Sequence, residues 1–95
     1  MIYKNITFLV PVAKEADFLR HAQALTSPWV EDIQGFKLIE QVDPESVNYT
    51  LQIKFEEASA LEYFDTVTLV AFINTLQEKL KEPVLFFESH LHPWF

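Results

Sequence analysis

The sequence predicts an α+β fold of ferredoxin-like type, βαββαβ, with a four-stranded antiparallel sheet and two helices on one face. Three observations carry that prediction. Strand-like and helix-like periods alternate in the order strand, helix, strand, strand, helix, strand, which is the split β-α-β arrangement. The 95 residues suit one domain, 1–95, and no linker, repeat or low-complexity stretch divides them. Nine Phe, three Tyr and two Trp supply a dense core for so short a chain, since each buried aromatic removes roughly 150–250 Å² from water.

Tyr3 to Val12 reads as the first strand, with Ile6, Phe8 and Val10 on one face and Asn5, Thr7 and Leu9 on the other. Lys14 to about Thr26 reads as a helix: Phe18, Leu19, Ala22 and Leu25 recur at helical spacing, and Glu15 and Asp17 complement the dipole of its first turn. Ser27-Pro28 ends that helix or restarts a short one, which Trp29 and Ile33 would anchor to the core, and Gly35 is a stop. Phe36 to Val42 and Val47 to Glu56 form a hairpin around Asp43-Pro44-Glu45-Ser46, where Pro suits a type I turn. Ser59 to about Lys81 is a long helix with Leu61, Phe64, Leu69, Phe72, Ile73, Leu76 and Leu80 on one stripe. Pro83 stops it, and Val84 to His92 is the last strand.

Period-2 facing then sorts the sheet. Ile6, Phe8, Val10, Leu51, Ile53, Phe55, Leu85, Phe87 and Leu91 are expected to face the helices. The open face is expected to carry Asn5, Thr7, Leu9, Gln52, Lys54, Val84, Phe86, Glu88, His90 and His92. The facing of the second strand stays ambiguous, because Phe36 and Leu38 compete with Ile39 for the core.

Composition removes several functions. The net charge of −7, with Arg20 the sole arginine, opposes nucleic acid and anionic membranes. Without cysteine there is no disulfide, thiolate nucleophile or thiolate metal site. The start of the chain has no signal-peptide pattern and no apolar run is long enough to span a membrane, so a cytoplasmic location is expected. A single glycine excludes a glycine-rich phosphate loop. Tyr49 and Phe55 have the wrong facing for an RNA-stacking platform, and nothing calls for a cofactor. The sequons at Asn5 and Asn48 lie inside strands and are read as chance.

One cluster has chemistry beyond packing. Glu88, His90 and His92 alternate along the last strand, so a carboxylate and two imidazoles share a face. The ligand types suit a divalent metal, but same-face neighbours stand about 6–7 Å apart on a flat strand and no fourth ligand is evident. The expectation is that no metal binds there and that His90 at most lines the space over the open face. Ser89 points away from His90 and makes no nucleophile–base pair with it.

Tyr3-Lys4-Asn5-Ile6-Thr7, Gly35-Phe36-Lys37-Leu38, Asn48 through Phe55 and Phe86-Phe87-Glu88-Ser89 together resemble an uncharacterised family of short bacterial proteins, similar to the dimeric α/β-barrel superfamily. The chain departs from that pattern in having Lys81-Glu82-Pro83 where a glycine-bearing turn precedes the last strand. The resemblance implies fold and dimerisation and transfers no catalytic residue.

The mixed apolar and polar open face predicts a homodimer in which two sheets enclose a partly polar interior. The leading expectation is a module that binds a partner or small ligand between the sheets, with Asn5, Gln52, Lys54, Phe86, Glu88 and His90 as candidate contacts. The alternative is a cofactor-free enzyme, monooxygenase- or isomerase-like, with a pocket on that face using Asn5, His90 and Trp94 or Glu88.

Overall fold

Alternate residues of the first strand are buried while their neighbours stay partly open, and this alternation orients the whole sheet. β1 (Ile2–Pro11) buries Lys4, Ile6, Phe8 and Val10. In the computed structural model, which describes residues 1–29 and 32–95, β1 lies inside the sheet. It pairs antiparallel with β3 (Ser46–Phe55) and with β4 (Leu85–Leu91), and β2 (Ile33–Lys37) pairs with the far side of β3. The resulting order, β2-β3-β1-β4, is that of the predicted ferredoxin-like βαββαβ fold.

α1 (Glu15–Thr26) follows a short 3-10 turn and keeps Glu15 and Asp17 in its first turn. Its end has no glycine; the hydroxyls of Thr26 and Ser27 instead donate to the carbonyls of Ala22 and Ala24, at 2.8 and 3.0 Å. A second 3-10 turn spans Ser27–Trp29.

The second helix is composite. α2 (Ala58–Tyr63) passes through a π-helical turn (Phe64–Thr68) into α3 (Leu69–Leu80). The Leu69 N–H reaches the Phe64 carbonyl, five residues back, and Thr66 Oγ1 donates to the Glu62 carbonyl at 2.8 Å, a contact that competes with the α-helical ladder. α3 ends at Lys81, whose backbone is left-handed with φ 59°. The Lys14 ammonium donates to the Leu80 carbonyl at 3.2 Å, satisfying one carbonyl of the last turn. Among the described residues no helix is long and apolar enough to cross a membrane.

The core lies between the helices and one sheet face. Phe8 is its hub, with ring centroids 5.3 Å from Phe18, 5.9 Å from Phe72 and 6.2 Å from Phe86. Ile53, Phe72 and Leu76 are buried beside it, and Leu51 and Phe55 pack against them half-buried.

Two expectations are corrected. β2 is Ile33–Lys37 rather than Phe36 to Val42, so Gly35 sits inside the strand instead of stopping the previous element. Ile39 and Val42 have no buried surface to reach and are exposed. The facing of β4 is the reverse of that expected. Its register sets Phe86 opposite Phe8, Glu88 opposite Ile6 and His90 opposite Lys4, all on the helix side, and leaves Leu85, Phe87 and Leu91 on the open face. Val84-Leu85-Phe86-Phe87 is apolar at every position, and the polar Glu88 and His90 tipped period 2 toward the wrong face because they meet the buried Lys4 rather than water.

Candidate functional site

Lys4 stands on the core face of β1 by the same alternation that buries Ile6 and Phe8, and its side chain is 0% exposed. A buried ammonium is stable only when paired and hydrogen-bonded. The partners come from two other elements. Lys4 Nζ lies 2.5 Å from Asp65 Oδ1, 2.7 Å from Glu88 Oε1 and 3.2 Å from His90 Nε2. β4 brings Glu88 and His90 in from the adjacent strand, and the π-helical turn brings Asp65 down from above. Asp65 Oδ2 is 3.2 Å from His90 Nε2. Asp65 Oδ1 is buried with no aligned hydrogen-bond donor, so its stabilisation is the charge of Lys4 at 2.5 Å.

His90 Nε2 therefore faces an ammonium that donates and a carboxylate that accepts. A neutral ring with Nε2 unprotonated accepts from Lys4, and a protonated Nε2 donates to Asp65. The place between Asp65, Glu88 and His90, three side chains of metal-ligand type, is filled by a cation that the chain itself carries. His92 lies beyond the end of β4, exposed and apart from this group. Sequence reasoning did not single out Lys4 or Asp65. A lysine at a position sharing the parity of Ile6 and Phe8 was the available signal for Lys4; nothing in the sequence announced the widened turn that places Asp65.

The six sequence candidates thus divide between the two sheet faces. Asn5, Gln52 and Lys54 are on the open face, whereas Phe86, Glu88 and His90 are on the helix face. On the open face Gln52 Nε2 donates to Asn5 Oδ1 at 3.1 Å, and the Thr7 and Thr50 hydroxyls are 2.9 Å apart. Lys54 pairs with Glu56 at 3.2 Å, and that contact raises its pKa. Beside this polar ladder β4 exposes Leu85 (63%), Phe87 (65%) and Leu91 (42%), and β2 exposes Phe36. The paired positions of this face hold no Asp or Glu, although the chain has fourteen. His90 does not line the space over it.

A third polar group stands where α1 begins. The Tyr49 hydroxyl donates to Glu15 Oε2, which also pairs with Lys37 Nζ at 3.2 Å. The Tyr49 hydroxyl, then the Lys37 ammonium, hold the Glu15 carboxyl below the usual carboxylate range. Burial and the bond to Glu15 push the Tyr49 phenol up, and Glu15 raises Lys37.

No family model and no curated protein matches the chain. Solved structures do. The chain is similar to a putative antibiotic biosynthesis monooxygenase from Nitrosomonas europaea, with TM-score 0.64 and 11% identity over 100% of both chains. It is similar to SnoaB, a cofactor-independent oxygenase from Streptomyces nogalater, with TM-score 0.60 and 8% identity over 97% of this chain and 92% of that one. The de novo designed protein Foldit4 matches with TM-score 0.65 and 8% identity over 97% of each chain. At these identities the likeness shows the fold alone. The resemblance to short bacterial proteins rests on the strand patterns that suggested it.

Proposed function

We propose that the protein is a homodimeric binding module in which two open sheet faces pack together and hold a partner-derived or small-molecule ligand between them. The observation that carries this reading is the open face itself, with Leu85, Phe87 and Leu91 exposed and no acid at its paired positions in a chain of net charge −7. An exposed apolar strip cleared of charge is the composition of an interface core. Asn5, Gln52 and Lys54 would line the enclosed interior, where the hydrogen-bonded Asn5–Gln52 pair offers both donor and acceptor groups. Phe87, rather than Phe86, is the residue to test. Phe87→Asp places a charge in the contact and yields a folded monomer, while wild type runs as a dimer in light scattering at tens of micromolar. A monomeric wild type at that concentration sinks the reading.

A second reading, a cofactor-free enzyme, is favoured by the Asp65–His90 contact of 3.2 Å, the spacing of a base and its orienting carboxylate. Oxygen uptake with a hydroquinone, lost in His90→Ala, would make it the leading reading. Against it stands the setting of His90, half-exposed and in contact with a lysine rather than inside a pocket.

A further inference from the structure

We propose that the space between two paired open faces holds a neutral polyhydroxylated ring, a monosaccharide or cyclitol, gripped from both sides by Asn5, Thr7, Thr50 and Gln52 of each copy. The inference rests on the dimer reading above and names the class of ligand for it.

Side-chain size across the sheet shapes that space. The strand register sets Phe36, Thr50, Thr7 and Phe87 in one row across all four strands, on the open face. Gln52 and Asn5 lie side by side in the next row. Bulky rings thus stand on the two edge strands, and the hydroxyl and amide groups on the two inner ones. The edge strands are three strand spacings apart, roughly 14 Å, and Phe36 and Phe87 remain 46% and 65% exposed. When two such faces approach to about 10 Å, the edges meet first. Leu85 and Leu91 extend that contact along β4. The short threonines on β1 and β3 leave a hollow between the rings. The two-fold relation sets the same polar floor of the second copy over it, so each copy supplies half of the site.

The hydrogen-bonding capacity of the floor selects the ligand. Gln52 Nε2 donates to Asn5 Oδ1 at 3.1 Å, and the Thr7 and Thr50 hydroxyls share one hydrogen bond at 2.9 Å. The Asn5 amide hydrogens remain as donors and the Gln52 side-chain oxygen as an acceptor, while the threonine pair keeps one hydroxyl hydrogen and free lone pairs. A carboxylate only accepts and an ammonium only donates, so either leaves part of this floor unpaired once water is excluded. A hydroxyl does both. These groups meet the ligand from above and below, which suits a saturated ring with hydroxyls projecting from both faces; the faces of an aromatic ring offer none. The floor also lacks a charge to hold an ion. Lys54, the one charged residue at the paired positions of this face, is engaged with Glu56 at 3.2 Å.

The test is an NMR titration of the full chain with glucose and, in parallel, glucuronate and catechol, run beside light scattering. The expected result is a dimeric wild type with saturable glucose shifts at the side-chain amides of Asn5 and Gln52 and the methyls of Thr7 and Thr50. Glucuronate and catechol should bind at least about tenfold more weakly. Thr50→Val keeps the β-branched shape and removes the hydroxyl, so the dimer persists and glucose binding falls at least about tenfold. Phe87→Asp, a monomer, should not bind glucose, because half of the site is missing. A dimeric wild type without saturable glucose shifts overturns this inference and leaves the dimer standing, whereas a monomeric wild type overturns both. Glucuronate or catechol binding as tightly as glucose overturns it as well, as does undiminished glucose binding in dimeric Thr50→Val.

Discussion

Lys4 and Asp65, 61 positions apart in the sequence numbering, form an ion pair of 2.5 Å that joins the middle of the sheet to the widened turn of the second helix. Burial makes that contact necessary as well as available. With its side chain 0% exposed, the lysine has no access to water, and Asp65 and Glu88 supply the only negative charge within reach among the described residues.

Loss of the cation should therefore cost more than loss of either anion. Lys4→Ala leaves a cavity and two carboxylates facing each other, and should cost roughly 3–5 kcal/mol. Asp65→Asn leaves the ammonium with Glu88, and should cost roughly 1–3 kcal/mol. Glu88→Gln should cost less still, because Glu88 is 42% exposed. Urea unfolding of the three variants measures the order; a neutral Lys4→Ala would remove the ion pair from the account of stability.

The facing of β4 is tested by its two adjacent phenylalanines. Phe86 packs on Phe8 at 6.2 Å and Phe87 lies on the opposite face. Phe86→Ala should lose about 2–4 kcal/mol at any protein concentration. Phe87→Ala should lose under about 1 kcal/mol in dilute solution. Ile53→Ala, in the core between both helices and the sheet, should lose roughly 2–5 kcal/mol. Equal losses at the two phenylalanines in chemical denaturation would contradict the assigned register.

Lys81 holds the left-handed position that ends α3, where a β-carbon crowds the backbone and glycine is the common choice. Lys81→Gly keeps the N–H to Gln77 carbonyl bond of 2.8 Å and should stabilise the protein by about 1 kcal/mol. A lower thermal midpoint would show that the lysine side chain contributes more than the strain removes.

Glu15 makes stability depend on pH in a stated direction. Its carboxyl is held low in the folded protein by Tyr49 and Lys37. The folded chain binds that proton less readily than the unfolded chain, so the contribution is present above the unfolded carboxyl pKa and is lost as pH falls through the folded value. Tyr49→Phe removes the first of its donors. Thermal midpoints of wild type and Tyr49→Phe should differ most near neutral pH and converge as the solution is made acidic; a gap that is constant with pH would assign the effect to packing.

Much of the fold could be read from periodicity because β1, β3 and the helices each have one unmistakable apolar side. Ile6, Phe8 and Val10, then Leu51, Ile53 and Phe55, leave no competing choice of face. β4 and β2 were less legible for opposite reasons. In β4 the alternation points the wrong way: Leu85, Phe87 and Leu91 make the more apolar side, while Glu88 and His90 on the helix side are polar and meet the distant buried Lys4. β2 is short and exposed, so burial hardly patterns its sequence. The polar cluster was legible in part: Glu88 and His90 could be paired from strand spacing and Lys4 shares the parity of Ile6 and Phe8, but the place of Asp65 depended on a helix irregularity that residue type does not encode.

That irregularity bears on how the chain tolerates changes of length. A π-helical turn accommodates one residue beyond the α-helical count, and each residue of an α-helix turns the chain by about 100°. Removing Thr66 or Val67 would restore the α-helical count, so the turn would close while α2 and α3 keep their facing and Phe72 stays on Phe8. Removing a residue between Leu69 and Phe72 has no such reserve and would turn Phe72 away from Phe8 by about 100°. A three-nucleotide deletion would therefore be absorbed in the widened turn and disruptive a few codons further on.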